Sequence, residues 1–327
     1  MAPASKDDSL MAESARILVP CMDWAHASGG VRKIYQYVDW LNGAGFTAIV
    51  MHQQPGFRCS WFPNATRVAS FRECWPPAAG DVLIVPEVLA WQFVSIAPDA
   101  PKIILNQNAY QTFAWSTEKY HVNPYTRPEV LGVIVGSEDS RQYLTEVFPS
   151  LPVMRLRVSV DGRLFQPNTR KLKQIAYLPR KKESDAKQVL AIAKFRGVLE
   201  GFKVVEIKDK TLEQYSAILR DSLIFLSFST QEGWGLPPME AMASGCIVIG
   251  YDGRGGAEFM RQPYALPVPA EHVLLYAQTL ENVLGFVKSS PKEAARLATQ
   301  AAQFIHAAYP LEQERDDLLT AVRTLTM

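Results

Sequence analysis

Apolar runs of strand length alternate with helical stripes along nearly the whole chain. In the first half, Ala15–Pro20, Phe46–Met51, Asp81–Pro86, Pro101–Leu105, Val130–Gly136 and Val153–Val158 are short and almost continuously apolar. That is the pattern of strands buried on both faces of a parallel sheet. Between the first two, Val31, Ile34, Tyr35, Val38 and Leu41 fall at helical spacing, and Gly43 stops the helix. Glu87–Ala97 is a second helix. A third runs to Phe148 behind the cap Ser137-Glu-Asp-Ser140. Residues 52–80 are rich in aromatics, proline and cysteine and have little periodicity, so Phe57, Trp61, Phe62 and Trp75 read either as a ligand platform or as packed loop aromatics.

The alternation restarts after a basic connecting stretch. Strands are predicted at Gln174–Leu178, Phe202–Ile207 and Ser222–Phe228, with helices over Asp185–Arg196 and Thr211–Leu219. Helices also cover Glu271–Val287 and Lys292–Ala308, and a last one starts at Pro310 with Leu311, Leu318, Leu319, Val322 and Leu325 on one stripe. The pattern predicts an α/β protein with two Rossmann-like domains, one over 15–158 and one over 159–309, followed by the helix of 310–327.

The most informative stretch runs from Gln231 to Gly250. A buried strand leads into Glu232-Gly-Trp-Gly-Leu-Pro-Pro-Met-Glu240-Ala241, then Gly245 and a further apolar run from Cys246. Pro237 and Pro238 suit the first turn of a helix, where their missing N–H groups are not needed. The predicted unit is strand, glycine loop, short helix, strand, with Glu232 in the loop and Glu240 in the helix. Such a loop sits at the carboxyl ends of parallel strands, where ligands bind. Its amides suit phosphate or sugar oxygens, and a carboxylate can grip two neighbouring hydroxyls. Near the start, Ser28-Gly29-Gly30 opens the first helix in the same way, but it is not the G-x-G-x-x-G fingerprint, which argues against a dehydrogenase.

The string Glu232, Gly233, Trp234, Gly235, Leu236, Pro237, Pro238, Met239, Glu240, Ala241, Gly245 resembles the Glu-x7-Glu signature of retaining glycosyltransferases of the GT-B fold, most closely glycosyltransferase family 4. Val160-Asp161…Phe165-Gln-Pro167 and Tyr251-Asp-Gly-Arg-Gly-Gly-Ala-Glu258 resemble further passages of that family. The resemblance implies two lobes facing across a cleft, with the acceptor on the first lobe, the nucleotide-sugar on the second, and the last helix crossing back to the first. It implies that Glu240 binds the ribose, and that Glu232 and the backbone of Gly233, Trp234, Gly235 and Leu236 hold the transferred sugar and distal phosphate. Arg180, a neighbouring lysine (Lys181 or Lys182) and the Gly29–Gly30 turn would take up charge on the leaving diphosphate. No cofactor and no metal is implied, and the sequence has no Asp-x-Asp pair. Where several members carry a histidine, this chain has Asn106-Gln107-Asn108; His121 is the histidine nearest in sequence.

Composition narrows this little. At 327 residues, 48% hydrophobic and 20% charged, the chain has ample core for two domains. A net charge of +1 names no polyanionic partner, so nucleic acid is not expected. The expected partners are a nucleotide-sugar donor and a carbohydrate or lipid-linked hydroxyl acceptor. Arg155, Arg157, Arg163, Arg170, Lys171 and Lys173 form a basic stretch that reads either as a solvated linker or as a contact with anionic lipid headgroups. Residues 1–13 lack an apolar core and read as a disordered lead-in, and Cys21, Cys59, Cys74 and Cys246 match no zinc spacing. A cytoplasmic protein, peripheral to a membrane if the basic stretch meets lipid, is the expectation. The active-enzyme reading has one competitor, a catalytically weak sugar-nucleotide-binding subunit of another transferase.

Overall fold

The computed structural model describes residues 15–114, 122–168, 170–179 and 181–327; the lead-in expected over 1–13 lies outside them. The first half runs β1 (Arg16–Pro20), α1 (Gly29–Gly43), β2 (Thr47–His52), β3 (Val68–Ser70), α2 (Phe71–Cys74), β4 (Val82–Pro86), α3 (Glu87–Ile96), β5 (Lys102–Asn106), β6 (Val130–Val135), α4 (Glu138–Val147) and β7 (Val153–Arg155). Its strands form one parallel sheet in the order β3-β2-β1-β4-β5-β6-β7. The second half runs β8 (Leu172–Tyr177), α5 (Glu183–Phe195), β9 (Lys203–Glu206), α6 (Leu212–Asp221), β10 (Ser222–Glu232), α7 (Leu236–Ala243), β11 (Ile247–Arg254), β12 (Leu266–Pro267), α8 (Val273–Ser289), α9 (Pro291–Ala308) and α10 (Leu311–Thr326). Its parallel sheet has the order β12-β11-β10-β8-β9.

Each sheet is buried on both faces, as its apolar runs require. Ile17, Val19 and Ile103 point to one side of the first sheet with α1, while Leu18, Leu83 and Ile104 point to the other with α3. The aperiodic segment 52–80 differs from its reading, because it contains β3 and α2. A three-residue strand is too short to show alternation, and α2 is announced only by the capping box of Ser70 and Glu73. The aromatics of that segment pack on the first lobe: Phe62 is buried against Tyr35, Phe57 lies on His52, and Trp75 lies on Phe71 and Phe93.

α10 packs on α1, β6 and β7 of the first lobe. Leu318, Ala321, Val322 and Leu325 enter the core there. Gly132 of β6 leaves the space that Leu325 fills, since a Cβ at that position would lie 2.5 Å from Leu325 Cδ2. One turn from the start of α10, Glu314 is fully buried and accepts hydrogen bonds from Lys33 Nζ (2.6 Å), Tyr37 Oη (2.7 Å) and the Ser159 amide (2.9 Å). Burial pulls the Lys33 ammonium below its ordinary pKa, against the pull of Glu314. This cluster ties α1, the connection between the lobes and α10 at one point.

Removing one partner of a buried ion pair strands the other charge, at a cost of about 3–5 kcal/mol. Glu314→Ala is therefore expected to lower the stability of the folded protein by that amount, with Glu314→Gln losing less because its amide oxygen still accepts. Urea unfolding followed by far-ultraviolet circular dichroism measures it; an unchanged midpoint for Glu314→Ala would show that the cluster carries no net stability.

Candidate active site between the lobes

The carboxyl ends of the two sheets face each other, and the β10–α7 turn is pressed into the first lobe. β10 extends to Glu232, past Phe228, so Glu232 ends a strand rather than sitting in a loop as the sequence reading had it. The pairing of β10 with β11 shifts register between Ser229 and Glu232, where Gln231 takes φ = 54°. Arg254, the partner of Glu232 on β11, takes φ = 71°. Left-handed backbone at non-glycine residues costs roughly 1–3 kcal/mol each and gathers at functional sites. Here the surrounding contacts hold it. The Gln231 carbonyl accepts from Asn108 Nδ2 (2.9 Å) and Lys181 Nζ (3.2 Å), and Arg254 Nε donates to Tyr110 Oη (3.1 Å).

The fit of this turn explains its glycines. Gly235 N-caps α7 at φ = 65°, a conformation glycine adopts without strain. Gly233 lies against the backbone of Gln107; a Cβ there would stand 1.8 Å from the Gln107 carbonyl oxygen. Trp234 enters the first lobe's core beside Tyr37, over Gly136, where a Cβ would come within 1.4 Å of its Nε1. Leu236 packs in the same core, against Gly29.

The structure brings several of the sequence-derived residues together. Lys181 Nζ lies 3.0 Å from Glu232 Oε2. The other oxygen, Oε1, is buried and has no hydrogen-bond partner among the described residues. Glu240 is buried on α7; its Oε1 accepts from Arg32 of α1 and its Oε2 from Tyr215 Oη (2.8 Å). Burial, and then the nearby carboxylate, hold the Tyr215 phenol well above its ordinary pKa. Gly29 and Gly30 form the first turn of α1, with Ser28 as N-cap, and Gln107 Nε2 donates to the Gly30 carbonyl (3.0 Å). Lys182 instead faces Glu271, at 2.5 Å. Asn106 is buried, donating to Thr112 and Tyr125, so it does not reach the cleft. Arg180 and His121 lie outside the described residues.

Sequence reasoning passed over the residues that position these groups. Arg32 and Tyr215 grip Glu240 from different lobes. Glu87, buried at the start of α3, accepts from the Gln107 amide (3.0 Å) and so sets the loop that touches both Gly30 and Gly233. His52 is buried at the end of β2, bonded to Asp23 (2.9 Å) and Tyr35 Oη (2.7 Å), and braces the loops beside the cleft. The basic stretch is largely occupied by neighbours. Arg155 pairs with Glu258, Arg157 with Asp317 and Arg163 with Asp161, while Lys171 donates to the Ser244 carbonyl. Among the described residues, no helix is long and apolar enough to cross a membrane.

Comparison with known proteins bears on the fold. The fold is that of GT-B glycosyltransferases. Residues 182–303, which include the Glu232–Glu240 segment, match the family described as glycosyl transferases group 1. A curated relative, an alpha-1,6-glucosyltransferase of Actinobacillus pleuropneumoniae serotype 7 (strain AP76), is 30% identical over 183 residues; the match covers 53% of this chain and about half, 53%, of that protein. Among solved structures, sucrose-phosphate synthase from Thermosynechococcus elongatus superposes with a TM-score of 0.71 at 13% identity, covering 95% of this chain and 99% of that one. Anabaena HepE in complex with UDP and glucose gives 0.67 at 12% identity, covering 95% of this chain and 100% of that one.

Glu87 makes the site's support sensitive to pH. Burial pushes its carboxyl up to about 7, against the pull of the amides it accepts from. A carboxyl raised in the folded state contributes stability that is complete below its unfolded value near 4.5 and is lost as pH rises through 7. Between pH 5 and pH 8 the loss is on the order of 3 kcal/mol. Glu87→Gln, which cannot ionise, should therefore gain on wild type by several degrees in melting temperature at pH 8 relative to their difference at pH 5. A difference that stays flat with pH would refute it.

Proposed function

We propose that the protein is a retaining glycosyltransferase that moves a sugar from a nucleotide diphosphate donor to a hydroxyl of a carbohydrate or lipid-linked acceptor, without a metal. The observation that carries this reading is the Glu232–Lys181 pair on the strained end of β10, with one buried carboxylate oxygen that has no partner among the described residues. A carboxylate with a spare oxygen is suited to accept from a sugar hydroxyl, and an ammonium 3.0 Å away is suited to the distal phosphate. Glu240, eight positions on, is assigned to the ribose. The Gly29–Gly30 turn at the start of α1 and Arg180 are assigned to the leaving diphosphate, where their charge and dipole stabilise the transition state more than the ground state. The similarity to a glucosyltransferase, and to a structure holding UDP and glucose, supports a nucleotide-sugar as donor.

Bond cleavage on this reading is electrostatic. The bond from the anomeric carbon to the phosphate oxygen breaks as charge grows on the diphosphate. The acceptor oxygen enters on the same face and loses its proton to the departing phosphate. Configuration is then retained without a covalent intermediate on the protein.

Thermal unfolding with UDP, GDP, ADP and CDP, followed by nucleotide release from the matching sugar donors, tests the reading. One nucleotide should raise the melting temperature, because a ligand that binds only the folded state stabilises it. Glu232→Gln should retain nucleotide binding and lose roughly 10²–10³-fold in donor turnover. Tight binding with no turnover across donors and acceptors would favour a sugar-nucleotide-binding subunit instead, and no binding at all would end both readings.

A further inference from the structure

Glu240 is closed off in this structure. Both of its oxygens are engaged, one by Arg32 and one by Tyr215, and its side chain is 4% exposed. A ribose hydroxyl cannot reach it without displacing a partner. Tyr215, on α6, belongs to the same lobe as Glu240. Arg32, on α1, belongs to the other lobe and lies 208 positions away in sequence. Any separation of the lobes takes Arg32 away and leaves Tyr215 in place.

We propose that Arg32 is a latch on the donor site: its guanidinium occupies the Glu240 carboxylate while the site is empty and gives way to the ribose diol of an incoming nucleoside diphosphate. The inference rests on the assignment of Glu240 to the ribose made above. Arg32 has somewhere to go. Its side chain is 19% exposed and borders a cavity of about 290 Å³ lined by Tyr35, Phe62, Asp161, Phe165 and Leu212. Its guanidinium carbon is already 5.8 Å from the Phe165 ring centroid, and Asp161, which also pairs with Arg163, attracts it. A released Arg32 can therefore keep a cation–π contact and a carboxylate neighbour.

The latch opposes donor binding in two ways. Ribose hydroxyls are neutral donors, and they replace a charge-assisted bond that is stronger. In the empty site Glu240 is also fully satisfied, so binding there relieves no unpaired charge. Without Arg32 the empty state keeps a buried carboxylate short of one partner, which the ribose then supplies. Both effects give the same sign.

Isothermal titration of UDP, GDP and ADP, each beside its 2′-deoxy counterpart, into wild type, Arg32→Met and Arg32→Lys tests this. Arg32→Met should bind the matching ribonucleotide roughly tenfold tighter than wild type and keep its preference over the 2′-deoxy form, with Arg32→Lys in between. Equal or weaker binding by Arg32→Met overturns the latch and makes Arg32 a residue that holds Glu240 ready for the donor. Should Arg32→Met not fold, Arg32→Lys decides by the same sign. If wild type binds one of the three but ignores the 2′-hydroxyl, the ribose assignment of Glu240 fails and the latch with it. If neither wild type nor Arg32→Met binds any of the three, the nucleotide site itself is at fault and the latch falls with it; binding by Arg32→Met alone supports the latch.

Discussion

The two lobes meet where a glycine turn is driven into a core that is not its own. Trp234 and Leu236 belong by chain to the second lobe and by packing to the first. Burying side chains of this size is worth about 1.5–3 kcal/mol each, and the close approach is open only because Gly233, Gly136 and Gly29 leave room for it. Everything else in the cleft takes its position from that contact. It brings Gln231 beside Asn108 and Glu240 beside Arg32, and it fixes the direction in which Glu232 leaves β10.

Around this apolar contact the lobes are joined by charge. Arg254 reaches Asp139 and Tyr110 across the junction, and Arg155 reaches Glu258, whose carboxyl is raised by burial in spite of that arginine. These partners differ in their exposure to water. The Arg254 side chain is mostly exposed and screened, so its bond is weak. The Arg32–Glu240 bond is largely buried, so its making or breaking weighs more. A junction of this kind yields unevenly, with its rim loosening before its centre.

Much of this was legible in the chain alone. The apolar runs give both parallel sheets, and the Glu232–Glu240 string points to the turn between β10 and α7. The length of β10 was not legible, because a strand that continues through a register shift and a left-handed Gln231 looks like a loop in sequence. β3, α2 and β12 are too short for periodicity to register. The residues that serve the site at long range were invisible for a different reason. Arg32 follows a glycine pair like any first-turn cation, Tyr215 sits inside an ordinary amphipathic helix, and Glu87 looks like a helix-start acid. Their importance comes from partners 208, 25 and 20 positions away in sequence, which only the fold supplies.

The crossing of α10 bears on how the molecule is assembled. Residues 15–155 carry the whole first sheet, yet the part of its α1 face beside β6 and β7 stays open until Leu318, Ala321, Val322 and Leu325 arrive, and Lys33 lacks the Glu314 carboxylate until then. During vectorial synthesis the amino-terminal lobe must therefore wait, with part of its apolar surface open and the Lys33 ammonium still hydrated, while the whole carboxyl-terminal lobe emerges from the ribosome. Maturation of the first lobe is thus a late event, coupled to completion of the second.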